Sequence, residues 1–202
     1  MSYYECMAMS PIPIRQQTRA VVRSLLAQTA MQLFAQKGFD ETTVDEVAAA
    51  AGVSRRTLFN YFRTKEDLAL SGLSEQGEVI ATRLTDRPAD EDVWVSLRHA
   101  FEVLDEIEAS PENRLEIVSM LFDNESLRAG HAEKQARWTN LLAPLIEPKL
   151  PASEARSFEA RAIVGAAITC LQAATEEWLR LRGSTPLFDL YDTAVAAIHA
   201  SN

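Results

Sequence analysis

The sequence predicts an all-α protein, a small N-terminal three-helix helix-turn-helix unit followed by a larger helical body. Three observations lead there. Apolar residues recur at intervals of three and four along most of the chain, the spacing of one helix face. No apolar/polar alternation of strand length occurs, and β-branched residues never cluster. Capping residues, glycines and prolines fall between the periodic stretches, where helices begin and end.

Residues 1–17 read as a flexible tail, because Pro11 and Pro13 oppose a helix and nothing before them is periodic; Met9 offers a second start. From Thr18 the pattern is helical through Val22, Leu25, Leu26, Ala30, Leu33 and Phe34, and Gly38 stops it. Thr43 and Glu46 have capping-box spacing and open a short helix to about Ala51, which Gly52 ends. Ser54 caps a helix running to about Phe62, and Thr64 caps the next, with Asp67 at the reciprocal position. Further helices are expected at 65–84, 91–108, 112–121, 124–129, 131–148, 154–182 and 186–200. Prolines punctuate them, and Pro144 reads as a kink rather than a stop. This divides the chain into the tail, a helix-turn-helix domain over 18–64 and a larger helical domain over 65–202.

Composition narrows the class. Hydrophobic residues at 47% and charged residues at 24% suit a soluble globular chain with a real core. No run of 18 apolar residues occurs, so no membrane partner is expected, and the N-terminus lacks a secretory pattern. Cys6 and Cys170 are too few for a disulfide framework and lack zinc spacing, so a cytoplasmic protein without metal or cofactor is expected. The net charge of -9 is uneven: residues 1–70 carry +1, residues 71–202 carry -10, and residues 15–65 alone carry +4. A basic front on an acidic body suits a protein that touches a polyanion at one end.

Reading duplex DNA needs a helix that enters the major groove and a second that holds it at an angle. Ala48-Ala49-Ala50-Ala51-Gly52-Val53-Ser54 supplies the corner: alanines for close approach, Gly52 for a positive φ, and Val53 to plug the angle. Leu58 and Phe62 share an inward face. Arg55, Arg56, Thr57, Asn60 and Tyr61 then point outward, with the donors that phosphates and base edges take. Standing alone, such a face is equally a solvated one; the corner, both caps and the basic residues together favour DNA.

Residues 23–68 resemble the N-terminal domain of the TetR family of transcriptional regulators. The resemblance runs through Arg23, Leu26, Ala30, Leu33, Phe34, Gly38, Phe39, Thr42-Thr43-Val44, Val47-Ala48, Ala51-Gly52-Val53-Ser54, Thr57-Leu58-Phe59, Tyr61-Phe62, Lys65-Glu66 and Leu68. It implies a homodimeric, all-helical, bacterial regulator, usually a repressor, that leaves a palindromic DNA operator when a small molecule binds. It also implies phosphate contacts from Thr43 and Lys65, groove contacts from Arg55, Arg56, Thr57 and Asn60, and a backbone or base contact from Tyr61. Phe59 stands where the family most often has Tyr, so a phenol contact there is lost. Gln28-Thr29 replaces small apolar residues. Arg15 and Arg19 precede the matched segment as a possible minor-groove arm.

One recognition helix reads too few base pairs, so two-fold symmetry is expected. The dimer surface is expected on the last two helices, at Phe158, Ala162, Ala166, Cys170, Leu187, Tyr191 and Val195. Ligand-pocket candidates are Trp94, Phe101, Met120, Phe122, Arg128, Trp138, Thr169 and Trp178, with Leu104, Leu121, Asn124, His131 and Arg137 behind them. The stretch Asn124-Glu125-Ser126-Leu127-Arg128 through Gln135-Ala136-Arg137-Trp138, with Trp178, is similar to the C-terminal domain of actinobacterial regulators related to the mycofactocin-system regulator. That resemblance implies a fatty acyl-CoA effector, its phosphates met by Arg128 and Arg137. A body of -10 argues against an anion and leaves a neutral or cationic lipophile open. An enzyme is not expected, for lack of a phosphate-binding glycine loop or a catalytic grouping. An activator of the same fold and a helical interaction module without specific DNA binding are the remaining alternatives.

Overall fold

The computed structural model describes residues 14–106 and 111–200; side chains are described over 18–106 and 114–200 except at 74 and 134. Met1 through Pro13, with Cys6, lie outside, as does the side chain of Arg15. Helix α1 (Ile14–Lys37) starts four residues before Thr18, so part of the expected tail is helical. Gly38 ends it at φ 90°, a left-handed conformation that favours glycine. Helices α2 (Val44–Ala50) and α3 (Arg55–Phe59) follow, and Gly52 at φ 67° makes the corner between them. Helix α3 stops three residues short of Phe62, its last turn closing through Asn60 N–H to the Arg56 and Thr57 carbonyls.

The expected helix 65–84 is two, α4 (Lys65–Ala69) and α5 (Ser71–Thr85), joined through Leu70. Residues 91–108 yield α6 (Val93–Phe101) and α7 (Val103–Glu106), the former capped by Asp92. Helix α8 (Pro111–Asp123) precedes α9 (Glu125–Ile146), which runs unbroken through Gly130 and Pro144 where two helices were expected. Gly130 is not a break. A Cβ there would lie 2.3 Å from Leu70 Cδ1, so the missing side chain lets α9 lie against the end of α4. Helices α10 (Arg156–Arg180) and α11 (Leu187–Ala200) form an antiparallel pair. Between them Gly183 N–H bonds the Trp178 carbonyl and Arg182 N–H the Leu179 carbonyl, a Schellman stop with Arg182 at φ 51°. Among the described residues there is no strand.

Two cores result. Leu26, Ala30, Phe34, Val47, Ala48, Leu58, Phe62 and Leu68 hold α1–α4 together, and Leu70, Leu73, Leu121 and Leu127 join them from α4–α5, α8 and α9. The helix-turn-helix core therefore extends beyond residue 64 and borrows from the body. The second core joins α5, α6, α9, α10 and α11 around Leu97, Phe101, Leu142, Ile146, Ala167 and Tyr191. Cys170, Leu187 and Tyr191, expected at a dimer surface, are buried in it at 3%, 7% and 1% exposure. Helix α10 packs on α9 and on α11 of its own chain, so Cys170 on α10 and Leu187 and Tyr191 on α11 have no outward surface to offer.

Candidate nucleic-acid interface and internal cavity

Local chemistry positions the basic face. Ser54 Oγ accepts from Thr57 N–H at 3.0 Å and starts α3, while Leu58, 1% exposed, anchors its inner side. Arg55, Arg56 and Asn60 are exposed, and Thr57 and Tyr61 half-buried. Arg55 Nη1 pairs with Asp45 at 3.0 Å and its guanidinium lies 5.5 Å from the Phe59 ring. The ring that replaces the expected tyrosine thus lies against the exposed Arg55 guanidinium instead of donating a hydrogen bond. Thr57 Oγ1 is 2.8 Å from Ser54 Oγ, so its hydroxyl is engaged within the helix start.

Thr43 is an exposed N-cap of α2 in a complete capping box. Its Oγ1 accepts from Glu46 N–H at 3.2 Å, and its own N–H donates to Glu46 Oε2 at 2.8 Å. Lys37 closes on the same carboxylate at 2.7 Å. These donors, Lys37 first, hold the Glu46 carboxyl at a pKa of about 2. Lys65, half-buried, has Nζ 4.3 Å from the Phe39 ring centroid and donates to the Asp40 carbonyl at 3.3 Å.

The structure adds two arginines that sequence reasoning gave no role on α3. Arg19 donates to the Asn60 carbonyl at 2.9 Å and lies 5.3 Å from the Tyr61 ring; Arg23 donates to the Tyr61 carbonyl at 2.6 Å. They cap the C-terminal end of α3, where carbonyls lack helical partners. Arg19 is therefore a brace on the end of α3 rather than a free arm. The signal was the four-residue spacing of Arg15, Arg19 and Arg23, one helix face.

Behind this unit lies a cavity of about 110 Å³. Helix α8 lines it with Arg114, Ile117, Val118, Leu121 and Phe122, and α9 with His131, Gln135 and Trp138. Leu73 and Gln76 of α5, Leu104 of α7, Leu171, Thr175 and Trp178 of α10, and Leu187 of α11 complete it. Trp138 is fixed twice: Nε1 donates to the Leu73 carbonyl at 2.9 Å, and a Cβ on Gly77 would sit 2.5 Å from that nitrogen. Burial pulls the His131 pKa below the ordinary histidine value, leaving a neutral imidazole at pH 7, its ring 5.1 Å from Phe122.

Of the pocket residues expected from sequence, Phe122, Trp138 and Trp178 line the cavity, as do Leu104, Leu121 and His131. The others do not. Trp94 packs edge-on against His199, Phe101 is fully buried beside Tyr191, and Met120 packs on the helix-turn-helix core. Arg128 is exposed, Arg137 pairs with Glu133 at the surface, and Thr169 lies exposed on the outer side of α10. Periodicity identified shared faces, but which face meets the gap depends on the neighbouring helices.

Asn124 joins the two halves. Its Oδ1 caps α9 by accepting from Ser126 N–H and Leu127 N–H, and its Nδ2 donates to the Asp40 carboxylate at 3.1 and 3.2 Å. Asp40 is also the residue whose carbonyl holds Lys65.

A helix-turn-helix with an exposed basic α3, borne on a helical body with an internal cavity, is the architecture of a DNA-binding regulator. Comparison with known proteins identifies which kind. The family model for bacterial regulatory proteins of the tetR family matches residues 26–71, and that for the MftR C-terminal domain matches residues 91–201, more than half the chain. The chain belongs to the TetR family of transcriptional regulators, with a C-terminal domain of the mycofactocin-regulator type; this is a family of regulators, not enzymes. It is 25% identical over 158 residues to a Mycobacterium tuberculosis protein described as a mycofactocin biosynthesis regulator, covering 77% of this chain and 78% of that one. It is 34% identical over 91 residues to the regulator TcmR of Streptomyces glaucescens; this covers 45% of the chain and only 40% of TcmR's length. Among solved structures, the TetR-family repressor FadR of Thermus thermophilus, in complex with lauroyl-CoA, superposes with a TM-score of 0.58 at 26% identity. It covers 86% of this chain and 91% of FadR. Among the described residues no helix is long and apolar enough to cross a membrane.

Proposed function

We propose that this regulator is a repressor that binds a palindromic operator as a homodimer and is released by a small apolar or amphipathic molecule entering the cavity. It acts in the cytoplasm, where its operator lies. One observation carries the release: Leu73 and Leu121 belong at once to the cavity wall and to the core that holds the helix-turn-helix. An occupant that moves either side chain changes the packing on which α3 is oriented, and close-packed cores pass such shifts on rather than absorbing them. The Asn124–Asp40 bond ties the same α8–α9 junction to the loop before Thr43.

The DNA-contacting set in this reading is Arg55, Arg56, Thr57, Asn60, Tyr61, Thr43 and Lys65, with Arg19 and Arg23 as braces. For the dimer, support comes from the outer face of α10. Phe158 is 74% exposed there, and Ala162, Ala166 and Ala173 leave room for close helix approach, with Val195 and Ile198 on α11. Lauroyl-CoA in the FadR structure keeps an acyl thioester among the effectors to test.

The experiment is selection of bound duplexes from a random pool at two salt concentrations. An enriched palindrome with half-sites about 34 Å apart supports the reading. Weak binding with no enriched motif, lost at moderate salt, refutes specific operator recognition.

A further inference from the structure

We infer that the effector is an uncharged molecule, with a flat ring seated among the aromatic walls of the cavity and one hydrogen-bonding group, of amide, carbonyl or hydroxyl type, held by Gln135. This rests on the cavity being the effector site, as proposed above.

Gln135 is only 9% exposed and lines the cavity, and among the described residues its amide has no hydrogen-bond partner. A largely buried amide beside a void, with no protein partner among the described residues, has its hydrogen-bonding groups free for water or for a ligand group. His131, Gln135 and Trp138 follow at four and three residues along α9 and share one face. Gln76 approaches the same space from α5. These groups donate and accept without charge.

The single charged side chain among the described lining residues is Arg114. Its Nη1 pairs with Asp105, and its guanidinium lies 4.8 Å from the Trp178 ring. A carboxylate or phosphate entering here would lose its water without gaining an unpaired cation. A cation would face the guanidinium, with no carboxylate among the described lining residues to receive it. The void of about 110 Å³ is somewhat smaller than the ~150 Å³ cavity that admits benzene. The enclosed part of the ligand is therefore about one ring, and Trp138, fixed by Leu73 and Gly77, is a rigid wall for it.

The test uses the full-length protein and four probes: benzamide, benzoate, toluene and lauroyl-CoA. Binding is followed by tryptophan fluorescence and by the Trp138 indole N–H resonance. Benzamide should bind at least tenfold tighter than benzoate. In Gln135→Leu, which replaces the amide by an apolar group of similar size, the advantage of benzamide over toluene should vanish while the melting temperature holds. Benzoate or lauroyl-CoA binding with benzamide inert overturns the inference and leaves the cavity as effector site. Benzamide binding Gln135→Leu as tightly as the parent protein removes Gln135 from its role and also overturns it. If no probe, toluene included, shifts the Trp138 resonance, the cavity is not a ligand site and both readings fail together.

Discussion

Replacing Gly77 by Ala sets a methyl group against the tryptophan that fastens α9 to α5. The added Cβ would lie 2.5 Å from Trp138 Nε1 and 2.6 Å from Cδ1, far inside van der Waals contact. Three effects compete. Ala for Gly inside a helix contributes about 1 kcal/mol of stability. Overpacking a filled site costs about 1–3 kcal/mol. Moving the indole breaks its 2.9 Å bond to the Leu73 carbonyl, leaving a buried donor unpaired at about 1–3 kcal/mol. The clash and the lost bond win, for a net destabilisation of about 1–5 kcal/mol. The same helix supplies the control: a Cβ on Gly72 meets nothing within 4 Å, so Gly72→Ala should stabilise by about 0.5–1 kcal/mol. Urea unfolding of both variants at one protein concentration, followed by circular dichroism, should give midpoints on opposite sides of the parent. A Gly77→Ala protein as stable as Gly72→Ala would refute the seating of Trp138 against α5.

Other outcomes follow from the same geometry. Glu46 has its pKa depressed to about 2, so its contribution to stability is complete above about 4.5 and is lost as pH falls toward 2. A carboxyl resonance titrating near 4.5 would contradict the capping box. Lys65→Ala should weaken binding to every duplex and lower the salt slope by roughly one per protomer, whereas Asn60→Ala should change sequence preference; filter binding across salts separates the two. Asn124→Asp keeps a good cap on α9 but sets a carboxylate against Asp40, so operator affinity should fall by about 1 kcal/mol, roughly fivefold. Adding Asp40→Asn should restore it, and a double variant no better than the single one would sever this link. Ala166→Arg, on the outer face of α10, should yield a monomer of unchanged helicity by light scattering; a persisting dimer moves the interface elsewhere.

What was legible in the residues alone is short-range. Thr43 with Glu46, Ser54 with Thr57 and Thr64 with Asp67 are three apart in the chain and bond as their spacing requires. Gly38 and Gly52 take positive φ where turns were expected, because glycine does so at the lowest steric cost. The basic face of α3 was legible for the same reason, since Leu58 and Phe62 pin its inner side. Arg19 and Arg23 bond carbonyls 41 and 38 residues away, and no local pattern names such partners.

Local sequence thus set the helical class, the caps at Thr43, Ser54 and Thr64 and the turn between α2 and α3, because each depends on residues within a turn or two of one another. Tertiary packing decided the rest. Gly130 became a contact for Leu70 rather than a helix end. Cys170 turned inward while Thr169, its neighbour on α10, turned outward. The cavity exists where side chains from six helices fail to fill the space between them. Periodicity says which residues share a face; only the arrangement of the whole chain says what that face meets.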